Sequence, residues 1–198
     1  MCIAGCTPRE KQGEEAKKQP DTPSKKTTEP CPLDLQDKLK KCDGGTDILN
    51  KAKKANNGKD PVVKVGTPSS GFDAETDTSS GTITISKNSD TCTATESLIF
   101  ELANMSRKSD FDKVDQDAAA GKLSREEYIK ANERIEYENV KDILKATDSC
   151  KKAWGCTNHA FDFEGFRGAK DFDDYYKNYL SNSHKDHYGK IWDTSYKK

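Results

Sequence analysis

Residues 92–108, Cys-Thr-Ala-Thr-Glu-Ser-Leu-Ile-Phe-Glu-Leu-Ala-Asn-Met-Ser-Arg-Lys, are the stretch around which the rest of the chain is organised. On a helical wheel centred on Leu98, Ala94, Leu102 and Met105 fall within about half a right angle and Ile99 lies at the edge, which predicts a short helix with one apolar face. Glu101 falls at the border of that face, beside Ser97, Asn104 and Lys108. A carboxylate half drawn into a core is costly and calls for a reason.

Upstream, Leu33, Leu35 and Leu39 predict a short helix stopped by Cys42-Asp43-Gly44-Gly45. Thr46 or Asp47 would cap a second helix that ends at Asn56-Asn57-Gly58. Pro61–Val65 reads as a strand, residues 69–80 as a polar loop, and Gly81–Ser86 as an alternating strand with one buried face. Downstream, Ser109–Gly121 is an acidic connection anchored only by Phe111 and Val114. Ser124-Arg125-Glu126-Glu127 is a capping box, and the helix it opens should run to about Thr147. Glu136 sits in the middle of that helix's apolar face, between Ile129 and Ile143. Asn132 stands one turn before it, and Glu133 lies toward the far edge. Glu136 therefore needs a partner. The first place to seek one is the helix bearing Glu101, and the alternative is a bond to a Tyr, a Lys or a backbone amide. The aromatic residues from Trp154 to Tyr196 should pack over the two long helices. Asp171–Leu180 and His184–Trp192 read as helical, with His184 and His187 on the surface.

The chain has 198 residues, 34% of them charged and 32% hydrophobic, with a net charge of −1. That composition allows one domain and a tail: residues 1–30 as a disordered leader or linker and 31–198 as a globular domain. No basic stripe with interleaved aromatics appears, which argues against nucleic-acid binding, and no apolar run is long enough for a membrane span. Seven cysteines leave at least one unpaired in a monomer. Cys31 with Cys42 and Cys150 with Cys156 are the two close pairs, although spacing alone does not assign a disulfide. Ile3-Ala4-Gly5-Cys6 is similar to the end of a bacterial lipoprotein signal, which would tether the chain through Cys6, but the apolar segment such a signal needs is not in front of it.

Phe100-Glu101-Leu102-Ala103-Asn104 occupies the frame of H-E-x-x-H, in which two imidazoles one turn apart hold zinc and the Glu is the general base. The order strand, alternating strand, helix with this frame, long helix with an inward Glu resembles the zincin metallopeptidases. It is most similar to the metallopeptidase-like domains of bacterial polymorphic toxins and type VI secretion effectors. The resemblance covers residues 60–147, with an aromatic-rich helical part at 150–198. It implies an α+β, mainly helical fold, with a small antiparallel sheet packed on two long helices. It further implies that Gly81–Ser86 is the edge strand lining a cleft, Glu101 the base, and Glu136 (less well, Glu133) the third ligand. Phe100 and Asn104 stand where the histidines would be, so neither a metal nor a cofactor is expected.

Three readings follow. The first is a secreted effector or toxin-like pseudoenzyme that binds a target protein of a host or rival bacterium, with an immunity or chaperone partner, and uses β-augmentation at the edge strand. The second is a hydrolase in which Glu101 and Glu136 do acid–base work, for instance on peptidoglycan or peptide. The third is an envelope lipoprotein acting as a binding module. Asn104, Asn132 and Glu133 are the expected binding residues in the cleft.

Overall fold

In a computed structural model, residues 31–197 are described, apart from Ser70, Ala160, Asp162, Glu164 and the side chains of Pro32 and Leu33. The leader and the Cys6 tether lie outside the described residues. The elements run α1 (Pro32–Leu39), α2 (Asp43–Ala55), β1 (Val62–Gly66), β2 (Ala74–Asp77), β3 (Thr82–Ser86), α3 (Thr91–Ser106), α4 (Lys108–Ala119) and α5 (Arg125–Cys150). After a 3-10 turn, α6 (Phe172–Asp174) passes into a π-helical turn, and α7 (Asn182–Ser195) follows. The protein is mainly helical α+β, as the sequence predicts.

α3 is the hub, touching α1, α2, β2, β3 and α5. Asp90 caps it, its carboxylate accepting from the backbone N–H groups of Cys92 and Thr93. Ala94, Leu98, Ile99, Leu102 and Met105 are all buried against Ile83 and Ile85 of β3, Leu35 and Leu39 of α1, and Ile48 and Ala52 of α2. The period-2 alternation of β3 and the helical period of α3 thus meet in one core. The capping box at Ser124 and Glu127 forms as expected, and α5 then runs 26 residues.

Five local readings are corrected. The sheet is mixed, in the order β1-β3-β2: β3 is parallel to β1 and antiparallel to β2. Gly81–Ser86 therefore supplies the central strand, and the edge strand is Ala74–Asp77, inside the stretch that reads as loop. Its Ala-Glu-Thr-Asp sequence has no β-branched or aromatic run to announce it, and its pairing with β3 supplies what propensity does not.

The acidic connection forms α4, because Phe111, Val114 and Ala118 recur at helical spacing and pack on Tyr128 and Tyr188. Gly44 and Gly45 begin α2 instead of ending α1. A Cβ on Gly44 would come within 2.7 Å of the Ala146 side chain, so the absence of one lets α2 lie close on α5.

The disulfides join Cys42 to Cys150 and Cys92 to Cys156, linking the start of α2 to the end of α5 and the first turn of α3 to the segment after α5. Neither close pair in sequence is used, and Cys31 is free. The crossed pairs close separations of 108 and 64 residues, where the loss of unfolded-chain entropy is large. Replacing both Cys42 and Cys150 by Ala is expected to lower the unfolding free energy by roughly 2–5 kcal/mol, measured by denaturant titration without reductant. A change within error would show that this bridge does not hold α2 on α5.

Candidate functional site

The side of α3 that does not face the core carries Thr93, Ser97, Phe100, Glu101 and Asn104, which recur at helical spacing. This stripe lines a cavity of about 810 Å³. Residues 72–78, which include β2, form a second wall, and Glu136 and Val140 of α5 a third. His184, His187 and Tyr188 of α7 and His159, Phe161 and Phe163 of the segment after α5 complete it. Asp73, Glu75, Asp77, Glu96, Glu101 and Glu136 bring carboxylates to the cavity, and among the described lining residues there is no Lys or Arg. Phosphate-bearing or otherwise anionic ligands have no counter-charge here beyond the imidazoles.

Glu101 lies at the inner end of the cavity, 8% exposed. Its Oε2 accepts a 2.6 Å bond from the Thr76 hydroxyl of β2, which fastens the edge strand to α3. Burial drives its pKa from the ordinary 4.5 to about 7. Thr76 and Asn104 oppose the rise by hydrogen bonding, and the nearby charge of Glu136 adds to it. Asn104 Oδ1 accepts from Asn139 Nδ2 at 2.8 Å, so its side chain is oriented from α5. Phe100 stacks on Phe163, with ring centroids 6.1 Å apart. These two positions are committed to packing and amide bonding and do not fit the two-histidine zinc site of the H-E-x-x-H frame.

The partners of Glu136 come from α7. Its Oε1 accepts a 2.6 Å bond from the Tyr188 hydroxyl, and its Oε2 lies 3.3 Å from His184 Nδ1. Nδ1 also stands 3.5 Å from Oε1 of Glu133. Burial would lower the pKa of His184, but the carboxylates of Glu133 and Glu136 outweigh it and push the value up to about 11. One helical turn on, His187 is shifted the other way, chiefly by burial. Both rings pack on Phe72, at 5.0 and 5.6 Å between centroids. The expectation that His184 and His187 lie on the surface is thereby overturned: α7 folds back over α5 and carries both into the cavity wall.

Glu101, Asn104 and Glu136 thus converge on one cavity. Glu133, toward the far edge of the apolar face of α5, is 0% exposed, with His184 of α7 against it. Asn132 does not reach the cavity, since its Nδ2 donates to the Tyr128 carbonyl within α5. Thr76, Asn139, His184 and Tyr188 are the members that sequence reasoning missed. The only signal for them was the i, i+4 placement of His184 and Tyr188 on one helix face. At the outer end, His159 lies 3.2 Å from Glu96 and 3.4 Å from the Thr93 hydroxyl. Thr93 also gives a hydrogen bond to Asp90 at 3.0 Å, as part of the helix cap.

No family model, curated protein or solved structure matches the chain. The class defined by fold and site is a disulfide-bonded, mainly helical α+β protein with a carboxylate-lined cavity beside an open sheet edge.

Holding Glu101 at about 7 has a stability consequence of defined sign. From pH 4.5 to 7 the unfolded chain releases this proton before the native state does. The native state then binds more protons, so stability falls as pH rises across that window and levels off above it. Glu101→Gln keeps an acceptor for Thr76 and removes that penalty, so it is expected to stabilise the protein by roughly 1–3 kcal/mol at pH 8 and by nothing measurable at pH 4. Equal effects at both pH values in denaturant titrations would refute the assignment.

Proposed function

We propose that this chain is an exported effector-type protein, built on a metallopeptidase-like scaffold without the two-histidine zinc site. In this reading it captures an extended, cationic segment of a target protein along β2. The observation that carries it is the open edge of β2 beside a cavity rich in carboxylates. The Ser86 N–H donates to the Asp73 carbonyl. In an antiparallel ladder that alternation turns the backbone groups of Asp73, Glu75 and Asp77 toward β3 and those of Ala74 and Thr76 away from it. Among the described residues no strand pairs with that outer edge. An incoming strand would find main-chain partners at Ala74 and Thr76, with Asp73, Glu75, Asp77 and Glu96 for its Lys and Arg side chains. The two long-range disulfides favour an oxidising compartment, which supports export.

A second reading is favoured by one observation: Glu101, poised near neutrality, shares the cavity with Glu136. The two could act as an acid–base pair on a bound polypeptide or glycan. Glu101→Gln separates the readings, because a binder keeps its affinity and an enzyme loses turnover.

Ala74→Pro tests the capture. The Ala74 N–H points away from β3, so proline there spares the ladder while blocking a main-chain partner. Lys- and Arg-containing peptides of about eight residues, presented to the chelator-treated protein, should bind better than acidic peptides of equal length in fluorescence anisotropy. They should lose at least about tenfold in affinity for Ala74→Pro. Equal binding of acidic and basic peptides, or no effect of the proline, would discard the proposal.

A further inference from the structure

Glu133, Glu136 and His184 stand in a geometry that suits a shared ion better than a pair of direct bonds. His184 Nδ1 lies 3.3 Å from Oε2 of Glu136 and 3.5 Å from Oε1 of Glu133. A charge-assisted N–H···O bond closes to about 2.7–2.9 Å, and the single proton of Nδ1 points well at only one acceptor. Ligand atoms around one ion are spaced differently. With bonds of about 2.0–2.1 Å to zinc, neighbouring ligands stand about 2.8–3.4 Å apart in octahedral to tetrahedral arrangements. The spacing to Glu136 falls at the tetrahedral end of that range and the spacing to Glu133 just beyond it, and all three ligand atoms lie within 4.8 Å of one another.

We propose that Glu133 and Glu136 of α5, with His184 of α7, form a binding site for a divalent transition-metal ion, zinc foremost, with a coordination position left open toward the cavity. The donor set is two carboxylate oxygens and one imidazole nitrogen, which suits zinc, manganese or ferrous iron better than magnesium or calcium. Glu133 and Glu136 are three residues apart, so one helix face presents both. Glu136 is already oriented for single-oxygen ligation: the Tyr188 hydroxyl holds Oε1 at 2.6 Å, and Oε2 is the oxygen turned toward His184. Such an outer hydrogen bond is what fixes a ligating carboxylate in established metal sites.

Charge points the same way. The Glu133 side chain is 0% and the Glu136 side chain 11% exposed. Two carboxylates, a neutral imidazole and a dication sum to zero in a place that tolerates net charge poorly. On binding, the proton on Nδ1 leaves to solvent and the ion takes its place. His184, Glu136 and Tyr188 line the cavity, so the open position faces whatever the cavity holds. No ligand comes from α3, which distinguishes this site from the H-E-x-x-H arrangement. The inference does not rest on peptide capture, which is tested on protein stripped of metal.

The experiment is isothermal titration of the chelator-stripped full chain, free of any affinity tag, with zinc chloride. Cobalt spectroscopy and thermal melting accompany it. The expected result is one zinc ion per chain, a higher melting temperature, and a cobalt spectrum without a thiolate charge-transfer band, which excludes Cys2, Cys6 and Cys31 as ligands. Glu133→Gln and His184→Gln should each weaken zinc by at least about tenfold, with His159→Gln as an unaffected control. Should either ligand variant fail to fold, Tyr188→Phe keeps all three ligands and loses only the bond to Oε1. A several-fold loss of affinity is then expected. No saturable zinc, a thiolate band, a preference for magnesium or calcium, or undiminished binding in the ligand variants would overturn the proposal.

Discussion

Two carboxylates enclosed between packed helices must be compensated, and the compensation of Glu133 and Glu136 shapes half of this protein. Removing a carboxylate from water costs several kcal/mol unless opposite charge and hydrogen bonds replace the lost solvent. On α5 itself the cation one turn before Glu133, Lys130, pairs with Asp173 instead. The compensation arrives from the far end of the chain, where His184 and Tyr188 reach both groups from α7. The apolar packing of Tyr128 with Tyr188, Trp192 and Tyr196 accompanies it. Polar and aromatic contacts together dock α7, and docking α7 closes the cavity.

The cavity also depends on α3 having two buried sides with different duties. Its apolar side completes the main core, while its polar stripe faces space that the core does not fill. Thr76 holds β2 against this stripe through Glu101, so the open strand edge and the poised carboxyl are one structural unit. The disulfides brace the frame from behind, one between α2 and α5 and the other between α3 and the segment bearing His159, Phe161 and Phe163. Phe161 and Phe163 both have positive φ, an unusual conformation for bulky residues. The placement of Phe161 in the core and of Phe163 against Phe100 compensates that strain.

Legibility in the sequence tracked how local each cause was. The capping box at Ser124 was readable because its two hydrogen bonds span three residues. The inward position of Glu136 was readable because a 26-residue helix imposes its period whatever packs on it. α4 was harder, since three anchors scattered among aspartates give a faint stripe until Tyr128 and Tyr188 cover it. β2 was not legible, because a four-residue polar strand exists only through its pairing with β3. The disulfides joined distant cysteines, for which spacing is silent.

By itself the sequence determined the mainly helical α+β class, the apolar face of α3 and the demand that Glu136 find a partner. Each of these follows from periodicity and the cost of burying charge, which act within a few turns of one element. Only the tertiary structure decided which partner answered that demand, which strand became the edge, and that His184 and Glu133 stand side by side. Those outcomes depend on where α7 lands, and its landing is set by contacts some fifty residues apart, a separation over which helical and strand periodicity carry no information.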